Sequence, residues 1–146
     1  MKIVINTCYG GFCPSAKAIM RWAELSGIEM HAVVQTDRDY EEPAHYKEIK
    51  PRESEDEFMG FISFCTKSLN KDGTMDEDSS WYLGEIESER SFRSDPNFVQ
   101  AVEELGEDAN TTESKLKVVE IPDDVNWTIE EYDGVEWIAE VHRNWC

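Results

Sequence analysis

The sequence predicts an α+β fold: one domain over residues 1–146, built from a mixed sheet, two helices and an antiparallel C-terminal hairpin. Three observations carry this. A β-branched apolar run, Lys2-Ile3-Val4-Ile5-Asn6, feeds a glycine-bearing loop and then a helical pattern. Asp95-Pro96 opens a second amphipathic stretch that Gly106 closes. Asp133-Gly134 lies between two strand-like runs and marks a tight turn. With 146 residues, 40% of them hydrophobic and 11% aromatic, the chain can fill one core but not two, and it is too apolar to stay disordered.

The elements follow in order. Residues 2–6 read as a buried strand and 7–14 as a loop. Residues 15–26 read as a helix with Ala16, Ile19, Met20 and Ala23 on one face and Gly27 as its stop. Ile28 to Val34 reads as a second strand. Residues 35–57 are polar, hold Pro43, Pro51 and the acids Glu53, Glu55, Asp56 and Glu57, and are expected to form a long, variable, irregular connection. Phe58 to Thr66 reads as a buried strand, and residues 70–80 as a loop or insertion. Asp72, Asp76 and Asp78 there invite a calcium reading, but the glycine and the closing glutamate of such a loop are missing, so a solvated loop is expected. Trp81-Tyr82-Leu83 is a short strand candidate. The helix from Asp95 carries Phe98, Val102 and Leu105 as its apolar stripe. After a polar link over 107–114, Lys115 to Ile121 alternates as a strand. In the hairpin, Val135, Trp137, Ala139 and Val141 share one face of their strand, and Trp127, Ile129 and Glu131 one face of theirs. Trp127 and Trp137 are expected in the core or on a sheet face.

The charge is lopsided. Of a net −18, residues 1–50 carry 7 acids and 6 bases, while residues 51–146 carry 25 acids and 8 bases. Such a field repels nucleic acid and anionic membrane and attracts basic protein surfaces. No direct nucleic-acid binding and no membrane partner are therefore expected. No apolar run approaches the roughly 18 residues of a membrane span, and no signal-peptide layout opens the chain. The expected location is cytoplasmic. Cys8, Cys13, Cys65 and Cys146 lack the spacing of a disulfide framework and read as thiols.

The segment richest in chemistry is Thr7-Cys8-Tyr9-Gly10-Gly11-Phe12-Cys13-Pro14-Ser15. Tyr9 and Phe12 are candidates to stack on a base, the Gly10-Gly11 backbone to hold a phosphate or carboxylate, and Ser15 to stand at a helix start. The segment matches neither the Walker nor the Rossmann glycine pattern. The glycines serve equally well simply to let a strand turn sharply into a helix. Arg90 and Arg93, the only bases between Lys71 and Lys115, are either the cationic half of an anion site or neutralisers of Glu85, Glu87 and Glu89. With this loop, Arg93 completes a candidate ligand-binding set. Cys8 and Cys13 at C-x4-C, with His31, His45 or His142, make a weak metal pattern, and neither metal nor cofactor is expected. Cys8 with a histidine gains no support as a nucleophile pair.

Two resemblances add to this reading. The opening Lys2 to Phe12, the stretch Arg93-Ser94-Asp95-Pro96 running into Val102-Glu103-Glu104-Leu105-Gly106, and the end Leu116 to Val125 with Glu131 to Glu136 resemble a group of small tailed-phage proteins of unassigned function. Cys13-Pro14 departs from that group's pattern, and the group transfers no catalytic residue. The resemblance implies a phage accessory protein acting inside a bacterial host cell. Cys13-Pro14-Ser15-Ala16-Lys17 is similar to the active-site segment of glutaredoxins, where a helix N-terminus activates a thiolate, but the Thr-Val-Pro wall and the later Gly-Gly are absent.

The function expected from all this is inhibition of a bacterial host-defence complex by binding, through cover of a basic nucleic-acid-binding surface, without catalysis. Glu103, Glu104, Glu107, Asp108 and Trp145 are the candidate partner-binding residues. The alternatives are a sponge that holds a small nucleotide signal in the 7–15 loop with Arg93, and a glutaredoxin-like redox protein. The partner is then a basic host protein or a nucleotide signal, and homo-oligomerisation is left open.

Overall fold

The structure is a computed structural model that describes residues 1–36, 42–51, 62–83, 90–142 and 145. Strand β1 (Lys2–Asn6) leads into helix α1 (Ala16–Ser26) and strand β2 (His31–Gln35). Strands β3 (Tyr46–Glu48), β4 (Ile62–Cys65) and β5 (Ser80–Trp81) follow. Then come a short helix α2 (Arg90–Arg93), helix α3 (Pro96–Leu105), strand β6 (Leu116–Glu120) and the hairpin β7 (Trp127–Tyr132) and β8 (Val135–Glu140). The α+β class and the antiparallel C-terminal hairpin are as the sequence predicts. The strands fall into three ladders, β1-β6, β3-β2-β4-β5 and β7-β8, and each described pairing is antiparallel.

The middle layer is β1 with β6. Its alternation explains why β1 is apolar throughout: Val4 packs into the helical core, while Ile3 and Ile5 pack on the other side with Trp127, Ile129 and Ile138 of the hairpin. β6 follows the same rule. Val118 lies opposite Val4 and joins the helical core, and Val119 lies opposite Ile3 and joins the hairpin core. Helices α1 and α3 thus cover one face of this ladder and the hairpin covers the other.

Both long helices are capped as their sequences require. The Ser15 hydroxyl accepts from the Ala18 N–H at 3.2 Å. At the far end Gly27 adopts φ 69°, and the N–H groups of Gly27 and Ile28 reach the carbonyls of Glu24 and Ala23 at 3.2 and 2.9 Å, a Schellman closure. That closure commits Ile28 to the helix exit, so β2 starts at His31 rather than Ile28. Asp95 accepts from Asn97 N and Phe98 N at 2.8 and 3.3 Å, with Pro96 next to the cap. Ile19, Trp22 and Ala23 of α1 meet Phe98, Val99 and Val102 of α3 in the larger core. Phe92 stacks on Phe98 with ring centroids 4.4 Å apart.

Two expectations need correction. The 35–57 connection is not wholly irregular: Tyr46–Glu48 pairs with β2, and only 42–51 and the residues before 37 lie within the described part. The acids Glu53, Glu55, Asp56 and Glu57, the start of the strand predicted over 58–66, and Glu85, Glu87 and Glu89 fall outside the described residues. The 107–114 link is not simply polar. Gly106–Ala109 forms a 3-10 turn whose Ala109 is buried in the helical core, and Ser114 is buried as well. The aspartates of the 70–80 loop serve the loop itself: Asp72 accepts from Thr74, Asp76 from Asn70 and Asp78 from Lys67.

Candidate functional site

The glycine loop leads directly to a buried polar knot. Asn6, at the end of β1, is fully buried, and both ends of its side-chain amide and its backbone N–H are bonded. Its amide nitrogen donates to the carbonyls of Cys8 and Gly134 at 2.7 and 2.6 Å. Its side-chain oxygen accepts from Lys115 N at 2.9 Å, and its backbone N–H donates to Glu136 at 2.8 Å. Glu136 in turn is gripped by Arg93 through two N–H···O bonds of 2.8 and 3.0 Å. Arg93 is 5% exposed, donates also to the Val4 carbonyl, and lies over the Phe12 ring at 3.4 Å from its centroid. Charge, lone pairs and ring face are thus matched inside the protein, as a buried ion pair requires.

This arrangement answers what the glycines do. Gly10 and Gly11 adopt φ 136° and 122°. A Cβ on Gly10 would collide with the Glu113 carbonyl, and one on Gly134 would sit 2.6 and 2.7 Å from the Gly11 and Gly10 nitrogens. The two glycine turns therefore pack backbone against backbone. The loop residues predicted to embrace a ligand are divided: Phe12 and Ser15 are buried, Thr7 and Cys8 are partly covered, and Tyr9 stands out at 70% exposure. Thr7 bonds the Lys115 carbonyl through both its N–H and its hydroxyl. Phe12 cannot stack on a base, and Arg93 is held by Glu136, because the pair is buried as the link between β1 and the hairpin.

A groove of about 780 Å³ lies beside the loop rather than within it. Cys13, Ile19, Phe64 and Trp81 line it, with Glu107 and Glu113 among the polar residues and no Lys or Arg among its lining residues. No residue of the predicted ligand-binding set lines it: Thr7 to Phe12, Ser15 and Arg93 all lie outside its wall. Two carboxylates without a base give a wall that repels a phosphate. Cys13 is exposed, Cys8 is partly covered and Cys65 is buried; burial first, then Glu48 and Glu29, pushes the Cys65 thiol above its ordinary range. Among the described residues no three His, Cys, Asp or Glu side chains gather as a metal site. His31 is held between Glu29 and Glu48 at 2.8 and 2.7 Å, and their hydrogen bonds raise its pKa.

The acids singled out as partner-binding do not share one state. Glu103 meets Lys2 at 2.8 Å, and Glu104 meets Arg21 at 2.8 Å and accepts from Gln100. Their field is partly cancelled at home. Glu107 lines the groove, the Asp108 carbonyl accepts from Ser15, and Trp145 is 87% exposed.

Sequence reasoning missed Asn6 and Glu136; of the two places expected for Trp137, core or sheet face, the structure shows the sheet face. The register supplies the missing signal. Tyr132 pairs with Val135 across the Asp133-Gly134 turn, so Ile129 faces Ile138 and Glu131 faces Glu136. Trp127 and Ile129 share the inner face with Glu136 and Ile138, which leaves Trp137 opposite Glu130 on the outer face. Glu136, one of the acids at inward parity on the hairpin, is the one that the fold brings to Arg93. Comparisons with protein-family models, with curated proteins and with solved structures find no match for this chain.

Proposed function

We propose that this chain is a binding protein that covers a basic, nucleic-acid-binding surface of another protein, in the manner of a phage-type inhibitor of a bacterial host-defence complex. The supporting observation is the disposition of charge. The chain carries −18, and the Arg93–Glu136 pair, deep in the knot, withdraws one charge of each sign, so the whole excess stays on the rest of the chain. What faces outward is dominated by carboxylates, which supply long-range attraction to a basic partner and compete with a phosphate backbone for it. The phage and host-defence parts of the proposal rest on the resemblance at both ends of the chain. The groove, with no Lys or Arg among its described lining residues, and the glycine loop, whose nearby Arg93 is held by Glu136, give the nucleotide-sponge reading no comparable support.

The test is competition. Immobilised protein is exposed to bacterial lysate, and captured proteins are eluted with duplex DNA at fixed ionic strength. The proposal expects the captured set to be basic nucleic-acid-binding proteins that DNA displaces, and expects capture to fail when Glu103, Glu104, Glu107 and Asp108 are changed together to Lys in a folded variant. A captured set indifferent to DNA overturns it.

A further inference from the structure

We infer that the outer face of the β7–β8 hairpin is a second docking surface, on the side of β1–β6 away from the acids of α3 and the turn after it, and that it recognises arginine side chains of the basic partner rather than positive charge alone. This rests on the binding reading above and deepens it.

The inner face of the hairpin is bound to the domain by Trp127, Ile129 and Ile138 in the second core, by Glu136 on Arg93 and by Gly134 on Asn6. The hairpin is therefore a fixed platform, and its outer face looks away from the molecule. An antiparallel sheet commonly turns a polar face to water. This one does not. Tyr132 is 74% exposed, Trp137 is 43% exposed, and Val141 just beyond the strand is exposed as well. Trp137 is positioned, not loose: its indole N–H donates to Glu130, its cross-strand partner, at 3.1 Å.

Charge selects the occupant. Residues 127–141 contain five acids, Glu130, Glu131, Asp133, Glu136 and Glu140, and no Lys or Arg. Glu136 is neutralised by the Arg93 pair; Glu130 lies on the outer face with Tyr132 and Trp137, Asp133 sits in the turn, and the exposed Glu131 and Glu140 share the parity of the inner face and add negative field rather than outer-face contacts. Aromatic faces beside the Glu130 carboxylate suit a guanidinium, which stacks flat on a ring while its N–H fork meets an oxygen pair; an ammonium does this less well. A second copy of the chain brings the same acids and is repelled, as is a nucleic acid.

Octa-arginine and octa-lysine are suitable probes, equal in charge and length. Titration at low salt is followed by calorimetry and by the indole N–H resonance of Trp137. The expected result is that octa-arginine binds about fivefold or more tightly than octa-lysine and shifts the Trp137 resonance. Tyr132→Ala with Trp137→Ala should remove the preference while leaving a weak, salt-sensitive affinity equal for both peptides. Glu130→Gln, which keeps the fold if the double variant does not, should weaken octa-arginine selectively. Equal affinity of the two peptides, or a Trp137 resonance that does not move, overturns the inference. If capture by the intact chain is still displaced by DNA in that case, the binding reading stands with another face as its surface. Absence of binding to both peptides, with no DNA-displaceable capture, overturns both. A concentration-dependent dimer that the double variant abolishes means that a second copy covers the face, and the inference is wrong.

Discussion

The two faces of the C-terminal hairpin are made of similar residues and have opposite fates. Each strand contributes a tryptophan and each face holds at least one glutamate. Inward, Trp127 is 3% exposed and Glu136 is buried against Arg93. Outward, Trp137 is 43% exposed and Glu130 serves only to hold its indole. A tryptophan or a glutamate in a strand has no fixed meaning. Its meaning is set by register, because one step along a strand moves a side chain from one environment to the other. The inner face carries stability and the outer face is free for recognition, and substitutions at matched positions separate the two.

The sharpest break is at Arg93. Arg93→Met leaves the Glu136 carboxylate buried and unpaired, which costs about 3–5 kcal/mol and shows as a lower urea midpoint. A second change, Glu136→Leu, should restore much of that loss, since an apolar pair of similar volume replaces the ions. Failure of the rescue means that the bond from Asn6 N to Glu136, and not the ion pair, is what the knot requires.

The matched tryptophans come next. Trp127→Ala opens a cavity between β1 and the hairpin and costs about 3–5 kcal/mol. Trp137→Ala, on the outer face, should cost about 1 kcal/mol or less while weakening peptide binding. Equal losses in denaturant melts would erase the distinction between the faces.

Gly134→Val tests the turn that joins them. Its φ of 86° disfavours a branched side chain, and the new Cβ meets backbone nitrogens of Gly10 and Gly11 that cannot swing aside. Strain of about 1–3 kcal/mol is expected, visible as a lower melting temperature. A melting temperature equal to the parent's would mean that the two turns are not locked together.

The smallest effect lies outside the hairpin and serves as its control. Hydrogen bonds from Glu29 and then Glu48 raise the His31 pKa above its ordinary value of 6.5. The protonated ring therefore favours the folded state, and its contribution is complete below the unfolded pKa and lost as pH rises through the folded one. Stability should decline modestly as pH rises above about 6.5, and His31→Gln should flatten that decline. Outer-face binding should not change with this substitution. A slope that persists in His31→Gln assigns the titration elsewhere.

Much of the framework was legible because it rests on local signals. Ser15 and Asp95 cap helices where short polar side chains before apolar periodicity predict caps, Gly27 and Gly106 close them, and Asp133-Gly134 makes its turn with positive φ at both residues. The candidate site was less legible. Gly10, Gly11, Phe12 and Arg93 have the composition of a ligand cradle, yet their partners are Glu113, Gly134 and Glu136, more than forty positions away in every case. Likewise Glu103 and Glu104 read as free acids until the fold brings Lys2 and Arg21 to them.

By itself, then, the sequence determined the class, the capped helices, the hairpin and the excess of negative charge, since propensity, capping and turn geometry act over a few residues and charge is a sum. The tertiary structure alone decided which charges cancel, which glycines are packed and which tryptophan faces water. Those outcomes depend on contacts between distant segments, and they exist only once β1 lies between the helices and the hairpin, where burial turns Arg93 and an inward glutamate into a pair.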